Sequence, residues 1–174
     1  MKNALLALTF GLLLAACSTA RQDVALGPPV PGAAPRIVAP VSPLQCVAFA
    51  RKASGVTIWG NASAWWNSAA GRYRRGNRPA VGSVLAWKRT NRLRLGHLAV
   101  VTAVVNNRHI IADHANWLNR GKIHRGTPIV DVSRNNDWSA VRVWYTPGNS
   151  WGVRTYPTQG FIYPERPVAA VAVD

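Results

Sequence analysis

The chain is organised around SPLQCVAFAR, residues 42–51. Pro43 precedes a run of good helix formers, which is typical of a helix start, so we expect Cys46 in or near the first turn. Gly55 is expected to end this helix after about Ser54. The free N–H groups and the positive dipole end of a first turn favour a thiolate. A lone cysteine is more often a small buried apolar residue, so other features must decide between these two interpretations.

The N-terminal residues have the pattern of an export signal. Residues 1–3 are a short basic region, and residues 4–16 form an apolar stretch too short to span a bilayer as a helix. The stretch ends in LAACS, which resembles a bacterial lipobox; the resemblance implies cleavage before Cys17 and lipid on that residue. Ser18 resembles the outer-membrane sorting pattern of Gram-negative lipoproteins. We therefore expect a signal peptide at 1–16 and an outer-membrane lipoprotein facing the periplasm, with an ordinary secretory signal as the alternative.

A lipidated Cys17 changes the interpretation of Cys46. The chain has two cysteines, so Cys46 then has no disulfide partner within the chain. A leftover thiol in an exported protein is a candidate reactive residue. Residues 17–43 are rich in Pro and Gly and predict an extended tether between the lipid and a domain that begins near Leu44.

The charge of the chain points to acidic partners. Its 174 residues carry a formal net charge of +15, and 48% are hydrophobic, which fits one globular domain and argues against a disordered chain. Two basic loops, 69–78 and 88–94, are as consistent with a solvated surface as with contacts to substrate carboxylates. The candidate substrate contacts are Arg72, Arg74, Arg75, Arg92 and Trp117.

Strand patterns follow Pro79. We expect strands at 81–87, 96–105, 110–117 and 138–145, a loop at 118–137, and irregular structure from Thr146 to about Tyr163, followed by a frayed tail. The second and third strands form a hairpin with a short Asn-rich turn at 106–107. The domain is thus predicted to cover 44–146, with a wrapping extension at 147–174.

The hairpin brings polar residues together. With a two-residue turn, His97 lies opposite Asn116, and His114 shares a face with Asn116 by the period of a strand, while Asp113 points the other way. Thiol catalysis needs a base near the sulfur and a third group that orients the base. His97 is the candidate base, and the orienting residue is either His114 or Asn116. Taken alone, a histidine at a strand start is more often structural.

The two remaining histidines are predicted to lie at the surface. His109 falls at the turn of the hairpin, and His124 falls in the predicted loop.

The motifs, in order, resemble the CHAP domain, a cysteine- and histidine-dependent amidohydrolase/peptidase family of the papain-like NlpC/P60 group. They are QCV at 45–47, GNA at 60–62 with Trp65, PAVGSV at 79–84, GHLAVV at 96–101 and NW at 116–117. The resemblance implies an α+β papain-like fold in which the helix bearing Cys46 packs on an antiparallel sheet that carries His97. It implies no metal and no cofactor.

The resemblance also implies an activity. Cys46 would attack an amide carbonyl in peptidoglycan, His97 would activate the thiol and protonate the leaving amine, and Gln45 with backbone N–H groups would stabilise the oxyanion. Many CHAP domains have Glu where this chain has His114, and a His there resembles the Cys-His-His arrangement of NlpC/P60 relatives.

We therefore expect an enzyme that binds peptidoglycan stem peptides and cleaves either the muramic acid to L-alanine bond or a bond within the stem. A non-catalytic peptidoglycan-binding lipoprotein is the alternative. A nucleic-acid binder is permitted by the charge, but an exported protein is not expected to meet nucleic acid.

Overall fold

The structure is a computed structural model that describes residues 34–117 and 120–164. The predicted signal peptide and Cys17 lie outside the described residues. Two α-helices are present in this part of the chain, α1 at Cys46–Ser54 and α2 at Trp65–Ser68, and a 3₁₀ helix at Ala62–Ala64 precedes α2. The strands are β1 Arg36–Val38, β2 Arg75–Gly76, β3 Val84–Trp87, β4 His97–Val104, β5 His109–Ala115, β6 Ile123–Asp131, β7 Ala140–Tyr145, β8 Ser150–Trp151 and β9 Tyr156–Ile162.

Six of these strands close into an antiparallel barrel. Their order around the barrel is β3, β4, β5, β6, β7 and β9, and β9 pairs back with β3. The short strands β1, β2 and β8 extend the barrel at β6, β9 and β7. The predicted α+β fold, a Cys-bearing helix packed on an antiparallel sheet, is therefore wrong, because the described chain is mostly β and its sheet closes on itself.

Two segments that were predicted to be irregular provide the strands that close the barrel. β6 lies inside the predicted loop 118–137, and β9 lies inside the predicted irregular segment after Thr146. β6 contains Gly126 and Pro128, and β9 contains Pro157 and Gly160, residues that weaken a strand pattern in sequence. Pairing with neighbouring strands outweighs these local preferences. β1 likewise lies inside the stretch that was predicted to be an extended tether, where it pairs with β6.

Alternate residues of the barrel strands build two apolar clusters. In β4, Ala99 and Val101 belong to the cluster that fills the barrel, together with Trp87, Trp138 and Phe161. Leu98 and Val100 belong to a second cluster, which includes Phe49 of α1 and Trp65. This alternation follows from the two-residue period of a strand and places α1 against the outside of β4.

The predicted boundaries of α1 are confirmed. The helix begins at Cys46, and Gly55 ends it with a φ of +77° and an N–H that donates to Arg51 O. No helix of the described ranges is both long and apolar enough to cross a membrane.

The predicted pairing of the β4–β5 hairpin is confirmed at the end that matters for the site. Val100 pairs with Asp113, which is the register in which His97 lies opposite Asn116. The predicted two-residue turn is wrong, because the loop runs from residue 105 to residue 108. A bulge between Val101 and Ala103 absorbs the difference and restores the register.

Candidate active site

Cys46 is the first residue of α1 and is partly buried. The backbone N–H groups of Leu98, Val47 and Cys46 itself face the thiol. Burial raises the pKa of the Cys46 thiol above its usual value of 9.0, and this effect exceeds the lowering of the pKa by the N–H groups. The thiol is therefore protonated at neutral pH, contrary to the expectation that the helix start favours a thiolate.

His97 begins β4, directly before Leu98, and only 3% of it is exposed. Its Nε2 atom lies 2.9 Å from Nδ1 of His114. Burial, with a smaller contribution from the charge on His124, lowers the pKa of His97 to about 3. His97 is thus a neutral imidazole at neutral pH. Within the described residues no hydrogen bond joins the Cys46 thiol to this ring. The thiol contacts the backbone N–H of Leu98, the residue that follows His97.

His114 is fully buried, and it connects His97 to a further residue. Its Nε2 atom lies 3.2 Å from the hydroxyl of Thr127, which is also fully buried on β6. Burial, followed by the charges on His97 and His124, lowers the pKa of His114 well below its usual value of 6.5. Thr127 could not be recognised from the sequence, because it lies in the segment that is predicted to be a loop.

These bonds fit the tautomers that a general base at His97 requires. If His97 is to accept a proton at Nδ1, its Nε2 carries the hydrogen and donates to His114 Nδ1. His114 then carries its hydrogen on Nε2 and donates to Thr127 Oγ1. In this pair of tautomers His97 Nδ1 is the free base.

His124 is buried, and its predicted surface location is wrong. It lies on β6 as the cross-strand partner of His114, and it is 3% exposed. The two ring centroids are 5.1 Å apart, and neither ring nitrogen of His124 has a hydrogen-bond partner among the described residues. His109 is partly exposed at the start of β5.

Trp117 packs against the catalytic candidates from the other side. Its ring lies 4.7 Å from the His97 ring and 5.5 Å from the His114 ring, and the residue is 7% exposed. Trp87, the cross-strand partner of His97, closes a further side at 5.4 Å. Trp117 therefore holds the imidazoles in place, whereas its predicted substrate contact is not tested by these distances.

Asn116 is bonded to Gln45 and not to His97. Its Nδ2 donates to Gln45 Oε1 over 2.7 Å, and its Oδ1 accepts from the N–H of Gly121 over 2.8 Å. Of the two residues predicted as candidates to orient His97, the structure thus brings His114 into contact with it. Asn116 instead positions the side chain of Gln45, the residue next to Cys46. The side-chain amide nitrogen of Gln45 stays available as a donor.

The predicted substrate arginines lie at the surface. Arg75 donates to Trp66 O over 2.7 Å, and Arg72 donates to Thr57 O over 3.3 Å. Arg74 stacks on the Tyr163 ring, and Arg92 is exposed between β3 and β4. Their substrate contacts stay a prediction.

Asp113 faces away from the histidines, as predicted, and pairs with Arg125 over 2.7 Å. Among the residues that the structure describes, no group of three or more His, Cys, Asp or Glu side chains is arranged to hold a metal ion.

Comparison with known proteins agrees with the motifs. Residues 39–116 match the family model of the CHAP domain. The predicted resemblance to the CHAP domain is confirmed. The matched CHAP segment contains Cys46, His97, His114 and Asn116, and it ends before Thr127 and the strands that close the barrel.

A relative from Streptococcus mutans serotype c, a protein named as a hydrolase, is 31% identical over 108 residues. These residues are 61% of this chain and 41% of the relative, so the chain spans less than half of that protein's length. The CHAP match and this relative together support a hydrolase.

Proposed function

We propose that the protein is a cysteine hydrolase that cleaves amide bonds in peptidoglycan, as an N-acetylmuramoyl-L-alanine amidase or a stem-peptide endopeptidase. One observation carries the proposal. The 2.9 Å contact between His97 and His114 orients the imidazole of His97, and the next residue, Leu98, contacts the Cys46 thiol through its backbone N–H. A base held by a third group next to a thiol is the arrangement that nucleophilic catalysis requires.

The proposed reaction starts from a neutral thiol and a neutral imidazole. Cys46 Sγ attacks the amide carbonyl carbon while its proton passes to His97 Nδ1. His97 then gives this proton to the amide nitrogen, the C–N bond breaks, and the amine leaves. Water, deprotonated by His97, hydrolyses the thioester that remains and returns the proton to the thiol.

Donors for the oxyanion surround the thiol. The N–H groups that contact Cys46 lower its pKa because they stabilise negative charge, and they would stabilise an oxyanion there for the same reason. The amide nitrogen of Gln45 is a further candidate donor, since its oxygen already accepts from Asn116. The role of Gln45 is thus to donate from a side chain that Asn116 holds in place.

The charge and the N-terminal motif suit a wall substrate. Only two arginines, Arg108 and Arg125, form ion pairs among the described residues, in a chain with a net charge of +15. Unpaired guanidinium groups can bind the carboxylates of stem peptides. We propose that lipid on Cys17 anchors the protein to the outer membrane, where it faces the periplasm and its substrate.

A peptidoglycan-binding protein without turnover is the second candidate. The raised pKa of Cys46 favours it, because a protonated thiol is a weaker nucleophile than a thiolate. The surface arginines would serve binding alone equally well.

Digestion of purified Gram-negative sacculi distinguishes the two candidates. The full chain, purified in detergent, is compared with Cys46→Ala and with Trp59→Ala, a control at an exposed residue. We expect the parent and Trp59→Ala to release fragments whose masses identify the bond, and Cys46→Ala to release none. If no protein releases fragments while all sediment with sacculi, the hydrolase proposal fails and the binding role stands.

A further inference from the structure

A pocket adjoins the candidate active site, outside the matched CHAP segment. It has a volume of about 260 Å³ and is open to solvent. Half of the residues in its walls are aromatic, and an exposed arginine lies at its edge. The residues that line it include Trp117, Trp144, Tyr145, Trp151, Tyr156 and Arg154.

The pocket and the catalytic candidates share one wall. The Trp117 ring contacts the His97 ring at 4.7 Å and the Tyr156 ring at 5.0 Å. A molecule in the pocket would therefore be separated from the candidate base by the Trp117 side chain.

The chemistry of the walls matches a sugar ring. Aromatic faces are negative at the centre and attract the polarised C–H groups on the face of a pyranose. Tyr145 is 46% exposed, so part of this residue can contact a ligand. Trp144 is 5% exposed and forms part of the aromatic wall.

The size of the pocket and the arginine at its edge limit which ligands fit. A volume of about 260 Å³ is at the small end for ligand pockets and suits one ring rather than an oligosaccharide. Arg154 is exposed at the edge, where its guanidinium could donate to the acetamido oxygen of the sugar.

We propose that this pocket binds one N-acetylated amino sugar of the glycan strand while the adjoining peptide lies at Cys46. The inference rests on the proposed function and makes it more specific. Because Trp117 lines the pocket and also contacts His97, the bond that is cut is the one joining the glycan to its peptide, not a bond deep within the stem.

Binding to Cys46→Ala tests the pocket without turnover. The ligands are a disaccharide carrying a stem pentapeptide and the same pentapeptide without sugar, measured by calorimetry with the full chain. We expect the sugar to strengthen binding by about tenfold, the effect of one well-placed anchor. Equal dissociation constants for the two ligands would overturn the proposal.

Variants identify the pocket as the source of the difference. In the Cys46→Ala background, Tyr145→Ala and Arg154→Ala should reduce the advantage of the sugar, whereas Trp59→Ala, at an exposed aromatic outside the pocket, should keep it. Thermal unfolding checks that each variant is folded. An advantage that survives both pocket substitutions would place the sugar elsewhere and contradict the proposal.

The test of the sugar pocket can fail or succeed independently of the test of the proposed hydrolase function. If sacculi are digested but the sugar adds no affinity, the glycan pocket alone fails. If the sugar adds affinity but neither the parent nor Trp59→Ala digests sacculi, the hydrolase proposal fails and the pocket belongs to a wall-binding protein.

Discussion

Nε2 of His97 lies 2.9 Å from Nδ1 of His114, and both rings are buried at one end of the barrel. The contact joins two adjacent strands and continues to Thr127 on a third. It gives His114 a defined role in the proposed mechanism, that of holding His97 in one tautomer and orientation. It also places three buried groups in series, so a change at any one of them should affect the others.

Removing His114 tests this role directly. We expect His114→Ala to lower kcat on sacculi by roughly 100-fold with little change in KM, since general-base catalysis depends on the orientation of His97. His109→Gln, a substitution of the partly exposed histidine on the same strand, should stay close to the parent. An unchanged kcat in His114→Ala would mean that His97 does not need this partner.

Thr127 offers a test at the far end of the series. Thr127→Val keeps the shape of the side chain but leaves the Nε2–H of His114 buried without an acceptor, which costs about 1–3 kcal/mol of the free energy of unfolding. Thr127→Ser keeps the hydroxyl and should retain more of the activity. Urea unfolding and kcat of both variants measure the effect, and a Thr127→Val protein as active as Thr127→Ser would contradict the proposed series.

The histidines make stability sensitive to acid. The pKa values of His97, His114 and His124 are lowered in the folded protein, so below their usual value of 6.5 the unfolded chain binds more protons than the folded one. The free energy of unfolding should therefore decrease as the pH falls below 6.5. Urea unfolding between pH 7 and pH 4 measures this slope, and His124→Phe, which keeps a buried ring, should reduce it.

Cys46 acts in the opposite direction at high pH. Its pKa is raised in the folded protein, so above the usual value of 9.0 the unfolded chain loses the thiol proton first, and stability falls as the pH rises. The same unfolding measurements above pH 9 should show a smaller decrease for Cys46→Ala than for the parent. Identical slopes would show that the thiol is not buried as described.

Gly96 tests the support of the site. Gly96 directly precedes His97 and has a φ of +71°. A Cβ at Gly96 would lie 2.7 Å from the backbone nitrogen of Ser63. Gly60 has a φ of +90° with nothing within 4 Å, so Gly60→Ala carries the backbone strain without the clash. We expect Gly60→Ala to cost about 1 kcal/mol of stability and Gly96→Ala clearly more, together with a loss of activity. Equal stabilities would show that the 3₁₀ helix can move away from β4.

The helix and the hairpin could be predicted because their determinants are local. Pro43 and Gly55 bracket α1, and the alternation of residues along β4 and β5 predicts which side chains share a face. The exact turn could not be predicted, since a bulge at Thr102 shifts the pairing of β4 with β5 by one residue before the turn. The motif residues Cys46, His97 and His114 did not indicate Thr127. Thr127 lies between Gly126 and Pro128, which weaken the strand pattern in this stretch.

The sequence by itself determined the helix that begins at Cys46, the register that pairs Val100 with Asp113, and the resemblance to the CHAP domain. Only the tertiary structure decided that the sheet closes into a barrel, that His114 rather than Asn116 contacts His97, and that His124 is buried. The physical reason is that local propensity acts within a few residues, whereas closure of β9 on β3 and burial of His124 depend on partners far apart in the chain.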